Sequence, residues 1–386
     1  MRLMERSKGL YIIETPIDFG NPSGVDKKVL GQVEQMKKSG LECKILSLSE
    51  EKGSHFKSLW NAILRRLPST NVPKWNRREM PPCLDFIYIR KPSCITRRML
   101  QVLNQMKSRN PGLRILLEIP TYPYDAEYMF RITDRMILAR DRRNRKKLNE
   151  VIDRIVLVSN DSVKDLFGVR TINIINGIQF SDLAKRIPVV NDTIDLCCVA
   201  SFNRWHGYER LLFGLAHYYR DGGQREIKIH FIGDGPELPL YRDIVESNQI
   251  SDRVIFHGKK TGKELDHLYD VADFGVCSLA VYRKGIVVSS ELKSREYLAK
   301  GLPLIAGCPI DIFGSEDFDF KIEFPNDSSV ISMAEVIRYY DQLYRGKEEI
   351  GGLTDRIHDY GRRHADLGET MKPVIEYILS AKVDKW

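Results

Sequence analysis

Cysteine is sparse and unpatterned in this chain of 386 residues: there are seven, an odd number, with no C-x-x-C pair and no histidine at metal-ligand spacing. That pattern speaks against a disulfide framework or a structural zinc site and suits a reducing, cytoplasmic setting, with no metal and no cofactor expected. Long hydrophobic runs are missing too, since no segment approaches the roughly 18 apolar residues of a membrane span. The apolar stretch before Glu14 is too brief for a signal-peptide core. Any membrane contact is therefore expected to be peripheral. No segment carries the G-x-G-x-x-G dinucleotide fingerprint, and there is neither a low-complexity tract nor an internal repeat beyond the strand–helix alternation described below.

The composition is that of a folded protein. With 42% hydrophobic residues, a chain of 386 can build two domains, each with its own core. A formal net charge of +8 points to anionic partners: nucleotide phosphates, an acidic lipid surface or nucleic acid. Nucleic acid is not expected, because the charge comes without a recognition motif or aromatics clustered on a sheet face.

Short apolar runs alternate with helical patterns along most of the chain. GLYIIE, LECKILSL, DFIYIR, LRILLEI, DRIVLVS and TINII punctuate the first half; IDLCCVAS, IKIHFIG, RVIFHG, FGVCS and LPLIAG punctuate the second. This is the α/β signature of two doubly wound parallel sheets in tandem. The turn signal Asn176-Gly177 and the aperiodic stretch 179–192, with Pro188, mark the expected linker. The expected domains are 1–180 and 190–367, with 368–386 a terminal helix.

The most informative stretch is Ser290–Gly307, SELKSREYLAKGLPLIAG. Ser290 suits a helix cap, Glu291 the first turn, Leu292, Tyr297 and Leu298 a buried face, and Gly301 the stop before a strand. The helix start is an anion cradle. Glu296 lies further in, where a carboxylate can accept hydrogen bonds from two adjacent hydroxyls, as a ribose presents them. The same spacing also suits ion pairs from Glu296 to Lys293 and Lys300 on a solvated face.

A helix carrying Glu, then EYLA, Gly, Pro and a strand resembles the donor-site signature of family 4 (group 1) retaining glycosyltransferases. The resemblance implies the GT-B architecture: two Rossmann-like domains facing a central cleft, metal-independent, transferring a sugar from a nucleotide-diphosphate sugar with retention. The family's Glu-x7-Glu motif places its second glutamate at Glu296 and its first at Val288, where this chain departs from the pattern. The family's arginine and lysine after the first strand of the second domain fall on Ser201 and His206 of ASFNRWHGYERLL, so neither usual cation is present. Arg204 is the substitute nominated for them, since a guanidinium binds phosphate oxygens bidentately; a surface stack on Trp205 is the competing role.

Further donor contacts are implied along the chain. Gly20 and Gly24 bracket the loop after the first strand, where the family places a glycine-rich loop and an ordinary glycine turn is the alternative. The loop Arg283–Ser290, containing Gly285, Val287, Val288 and Ser289, would hold sugar and diphosphate, and Lys293 on the helix that follows is counted with Glu296 among the donor contacts. Lys259, after RVIFHG, lies where the family contacts the nucleobase. FIGDGPE resembles a family segment but reads first as a tight turn. On the acceptor side Arg90, Glu118, Tyr122 and Tyr124 stand at carboxyl ends of strands, where open α/β sheets bind ligands. No catalytic base is assigned, because in the mechanism favoured for the family the leaving phosphate deprotonates the acceptor hydroxyl.

Two basic segments, within Lys52–Pro82 and from Arg131 to Lys147, suit a solvated face or peripheral contact with an anionic membrane at its inner side. With the resemblance they favour a saccharide or lipid-linked acceptor in bacterial surface polysaccharide synthesis. Two other readings stand beside transfer. One is a nucleotide-sugar epimerase of the same architecture, for which no acid–base set is assignable; the other is a noncatalytic nucleotide-sugar-binding protein, motivated by Val288 and Ser201.

Overall fold

The computed structural model describes residues 7–20, 22–48, 75, 80–125, 132–159, 163–188, 192–314, 318–345 and 350–380. Most of the first basic segment, and the start of the second through Arg131, lie outside these residues. The chain forms two compact units, Met1–Ile175 with Thr370–Trp386, and Asn176–Glu369.

In the first unit the strands are β1 (Lys8–Ile13), β2 (Glu42–Ser47), β3 (Phe86–Arg90), β4 (Arg114–Ile119), β5 (Arg154–Val158), β6 (Asp165–Leu166) and β7 (Val169–Ile174). They make one sheet in the order β2-β1-β3-β4-β5-β7-β6, parallel except for the β6–β7 hairpin. Continuous apolar runs such as FIYI suit strands covered on both faces, and Phe86 to Ile89 are all fully buried. The covering helices are α1 (Gly24–Lys38), α2 (Arg97–Arg109) and α3 (Ile132–Arg145). Ser23 and Asp26 form a capping box at the start of α1, and Thr96 caps α2. Trp75, expected on a basic amphipathic surface, is instead buried in this core, where a large indole gains more from packing than from solvent.

The second unit holds β8 (Ile194–Ser201), β9 (Ile227–Asp234), β10 (Val254–Gly258), β11 (Phe274–Val276), β12 (Leu304–Ala306) and β13 (Lys321–Glu323), all parallel, ordered β10-β9-β8-β11-β12-β13. Its helices are α4 (Glu209–Arg220), α5 (Leu238–Ser247), α6 (Gly262–Val271), α7 (Leu292–Lys300), α8 (Met333–Tyr344) and α9 (Ile350–Ala365). A final helix, α10 (Leu367–Ser380), begins in the second unit, and from Thr370 onward it belongs to the first. There Arg114 is held by the Tyr377 carbonyl and Ser380.

The stretch 179–192 does more than link. Buried Arg186 donates its backbone N–H to the Lys300 carbonyl at 3.0 Å and its guanidinium to the Ala272 carbonyl and the Tyr344 hydroxyl, fastening the segment to the second unit. Among the described residues all seven cysteines are free thiols, and no helix is long and apolar enough to cross a membrane.

Candidate functional site

In the second unit chain order reverses at β8: β9 and β10 lie on one side, β11 and β12 on the other. The crevice outside the carboxyl ends of β8 and β11 is thus the switch point, the place where open α/β sheets bind ligands. Three segments surround it: the loop Phe202–Gly207 after β8, the loop from Cys277 to Ser290 after β11, and the first turn of α7.

An aromatic cluster fixes the first loop. Phe202 packs on Phe231 and Tyr241 at 5.5 and 5.8 Å between ring centroids, and its backbone N–H donates to the Asp234 carbonyl. The short turn Arg204–His206 follows, with His206 Nδ1 accepting from the Asn203 N–H at 2.9 Å and its ring stacked on Tyr208. Burial, helped by the Lys293 ammonium, pushes the His206 imidazole down to about 2. At neutral pH this side chain is uncharged and brings no positive charge to the crevice.

The second loop is pinned by arginine. Arg283 lies 2.6 Å from Glu209 and donates to the Arg204 carbonyl at 2.6 Å. Lys284, its neighbour, turns the other way and sits 4.7 Å over the Trp205 ring. The cation on Trp205 is therefore Lys284, while the Arg204 side chain is exposed. Gly285 ends the turn Val281–Lys284, Val287 and Val288 are exposed, and Ser289 is buried, bonded to Pro309 and Asp311 through its backbone.

Helix α7 begins one residue later than expected, and neither Ser290 nor Glu291 caps it with a side chain. The Ser290 hydroxyl accepts instead from the Asn176 N–H at 3.4 Å. Glu291 turns away from the helix to accept from the Ser278 N–H at 2.9 Å and hydroxyl at 2.6 Å, which with Lys293 holds its carboxyl below the usual range against the cost of burial. Lys293 Nζ lies 2.9 Å from Tyr208 Oη and 3.4 Å from Glu291. Lys300 is buried between Asp266 and Asp270, at 2.8 and 2.6 Å. Neither lysine pairs with Glu296, so the solvated ion-pair face open to this segment is not what forms. Glu296 is half-buried and accepts from the Tyr269 hydroxyl at 2.6 Å.

Arg295, which sequence reasoning passed over, is the fully buried anchor of the helix. Its guanidinium bonds the Asn176 and Glu291 carbonyls, Ser294 and the Asp311 carboxylate. Only folding brings Asn176 and Asp311 to it, so local spacing carried no signal for its burial; the same holds for Tyr208 and Tyr269. Lys259 stands apart, exposed beyond β10 and 3.9 Å from Asp234.

The first unit treats its candidates differently. The Gly20 N–H is taken by the Asp18 carboxylate, and Gly24 opens α1 behind the capping box in which Asp26 accepts from Ser23. Glu118 is fully buried, held by Lys28 (3.3 Å), Arg90 (2.6 Å), Tyr88 (2.6 Å) and Gln32 (2.8 Å), which bring its carboxyl down to about 2 despite desolvation. Tyr124 is buried as well, its hydroxyl given to Asp141 and its ring covered by Lys91 at 4.0 Å. Tyr122 is half-buried against the same core. Arg142 and Arg145 of the second basic segment pair with Asp125. Among the described residues no cluster of three or more His, Cys, Asp or Glu could hold a metal.

Residues 193–316, spanning this switch point, match the family Glycosyl transferases group 1. The second unit carries a group 1 glycosyltransferase domain. No curated protein sequence matches the chain. Among solved structures, a glycosyltransferase from Rickettsia africae ESF-5 superposes with a TM-score of 0.63 at 12% identity, covering 98% of this chain and 99% of its own. Anabaena HepE, in complex with UDP and glucose, gives 0.61 at 13%, covering 97% and 100%. The lipopolysaccharide outer core galactosyltransferase WaaB gives 0.57 at 13%, covering 98% and 100%. At these identities the likeness establishes the fold, the GT-B architecture of glycosyltransferases. The enzyme class follows from the glycosyltransferase domain, whose match includes β8, α7 and the loops between them.

Proposed function

We propose that the protein is a retaining glycosyltransferase that moves a sugar from a nucleotide-diphosphate sugar to a saccharide or lipid-linked acceptor in bacterial surface polysaccharide synthesis. The observation that carries this reading is Glu296: a half-buried carboxylate oriented by Tyr269, on the helix that borders the switch point, free of the lysine pairs its spacing allowed. In this role it accepts hydrogen bonds from the two ribose hydroxyls of the donor. The Cys277–Ser290 loop and the first turn of α7 then receive the diphosphate and the sugar.

In the reaction the bond from the anomeric carbon to the diphosphate oxygen breaks, and the nucleoside diphosphate leaves with the electron pair. The acceptor hydroxyl attacks from the same face, and its proton passes to the leaving phosphate, so no protein base is needed. The acceptor side is assigned to the first unit, at Arg90 and Tyr122. The UDP bound to HepE supports the donor class, and the lipopolysaccharide outer core on which WaaB acts supports the acceptor class. Exposed Arg143, Lys146 and Lys147 suit peripheral contact with an anionic inner membrane face, in the cytoplasm.

The test is a thermal-shift screen against UDP, GDP, ADP, CMP and their sugar conjugates, repeated with Glu296→Ala. Stabilisation by one nucleotide diphosphate that disappears in the variant supports the reading. Absence of any shift would favour the noncatalytic alternative, and an epimer in place of a transfer product the epimerase.

A further inference from the structure

Departure of a nucleoside diphosphate concentrates negative charge at the carboxyl ends of β8 and β11, and this chain lacks cations where they would be sought first. Ser201 is neutral, and His206 is buried with its Nδ1 committed to the Asn203 N–H. Arg283 is neutralised by Glu209, and Lys284 is drawn to Trp205. Lys259 is three-quarters exposed beyond a different strand.

Arg204 keeps an exposed side chain, whereas Lys293 is held at the switch point, with Glu291 3.4 Å from its ammonium. This lysine lies in the first turn of α7 with its side chain only 10% exposed. Its ammonium meets Tyr208 Oη at 2.9 Å, and that hydroxyl in turn donates to the Val276 carbonyl, the last residue of β11. The charge is thereby fixed at the switch point by the buried phenol that follows the β8 loop. An ammonium has three donors. Tyr208 takes one, and Glu291, already satisfied by two bonds from Ser278, is 3.4 Å away, beyond the usual hydrogen-bond length. Donor capacity remains for a third partner.

We propose that Lys293 supplies the diphosphate-binding charge that Ser201 and His206 do not, with Tyr208 as its positioning residue. This rests on the donor-site reading above and deepens it: the cation has moved from the loop after the first strand to the signature helix. The changes at Ser201 and His206 then relocate the phosphate contact and do not mark a degraded site.

The experiment compares binding of uridine with UDP, guanosine with GDP and adenosine with ADP by titration calorimetry, using the full chain. For the base that binds, Lys293→Met is expected to weaken the diphosphate by about 10-fold or more while leaving the nucleoside within about 2-fold. Lys293→Gln, which keeps a donor to Tyr208 without the charge and spares the packing, should show the same selective loss. Lys293→Arg should retain most of the diphosphate affinity, and Tyr208→Phe should weaken the diphosphate alone, by a smaller factor. Unchanged UDP, GDP or ADP binding in the Met and Gln variants overturns the proposal, as does an equal loss of nucleoside and diphosphate. A wild-type protein that binds no nucleotide overturns the donor-site reading and this proposal with it, whereas loss of nucleoside binding in Glu296→Ala upholds that reading independently of Lys293.

Discussion

The Tyr269 hydroxyl donates to Glu296 Oε2 at 2.6 Å, joining helix α6 to the signature helix through one short, half-buried bond. Tyr269 is itself buried and packs edge-on against Tyr297 at 5.8 Å, so the carboxylate is oriented by a side chain with no freedom to move. Removing that donor should loosen Glu296 without removing it. Tyr269→Phe is expected to weaken nucleotide binding about 10-fold, by up to about 1.5 kcal/mol for a lost bond to a charged group, and Glu296→Ala to weaken it further. Calorimetric titration of both variants checks the order.

Acid should destabilise the protein partly through His206. Its folded-state value is depressed to about 2, below that of the unfolded chain, so on acidification the unfolded state takes up a proton that the native state does not. Stability is full above about pH 6.5 and falls by up to roughly 1.4 kcal/mol per pH unit below it. Denaturant melts of wild type and His206→Asn from pH 7 to pH 5 should show a shallower decline in the variant.

Glu118 acts in the same direction at lower pH. Its folded value, about 2, lies below the unfolded one, so its contribution is present above about pH 4.3 and is lost as the pH falls toward 2. Glu118→Gln leaves Lys28 and Arg90 buried without their carboxylate, and a loss of about 3–5 kcal/mol is expected in chemical denaturation at neutral pH.

Arg295→Met removes the buried guanidinium that bonds the Asp311 carboxylate and the Asn176 and Glu291 carbonyls. A destabilisation of about 3–5 kcal/mol is expected, seen as a lower midpoint in thermal unfolding. Asp311→Asn should cost less, because the amide oxygen can still accept from the guanidinium.

Gly207 joins the short turn Arg204–His206 to α4 with φ at 64°, and an added Cβ would lie 2.4 Å from the Ala280 Cβ and 2.9 Å from its backbone nitrogen. Gly207→Ala is therefore expected to separate the two loops of the switch point. Both a drop in melting temperature and loss of any nucleotide-induced shift should follow, measured together in one thermal scan.

The sequence by itself determined the fold class, because an apolar run of strand length followed by a helix of 3.6 periodicity, repeated along both halves, has few solutions other than tandem parallel sheets. It also determined where α7 stops, since Gly301 adopts a left-handed conformation against Thr354 that other residues resist. What it left open was which charges meet. Glu296 had two lysines at helical spacing, yet Lys300 went to two aspartates of α6 and Lys293 to a tyrosine that follows β8. Arg204 sits beside Trp205 in sequence, but Lys284 covers the ring. Glu118 and Tyr124, at strand ends where ligands bind, were drawn into buried networks by Lys28, Arg90 and Asp141. Ionic partners and burial depend on which side chains distant segments bring within a few ångströms, and that is fixed by the packing of helices on the sheets, which local spacing does not encode.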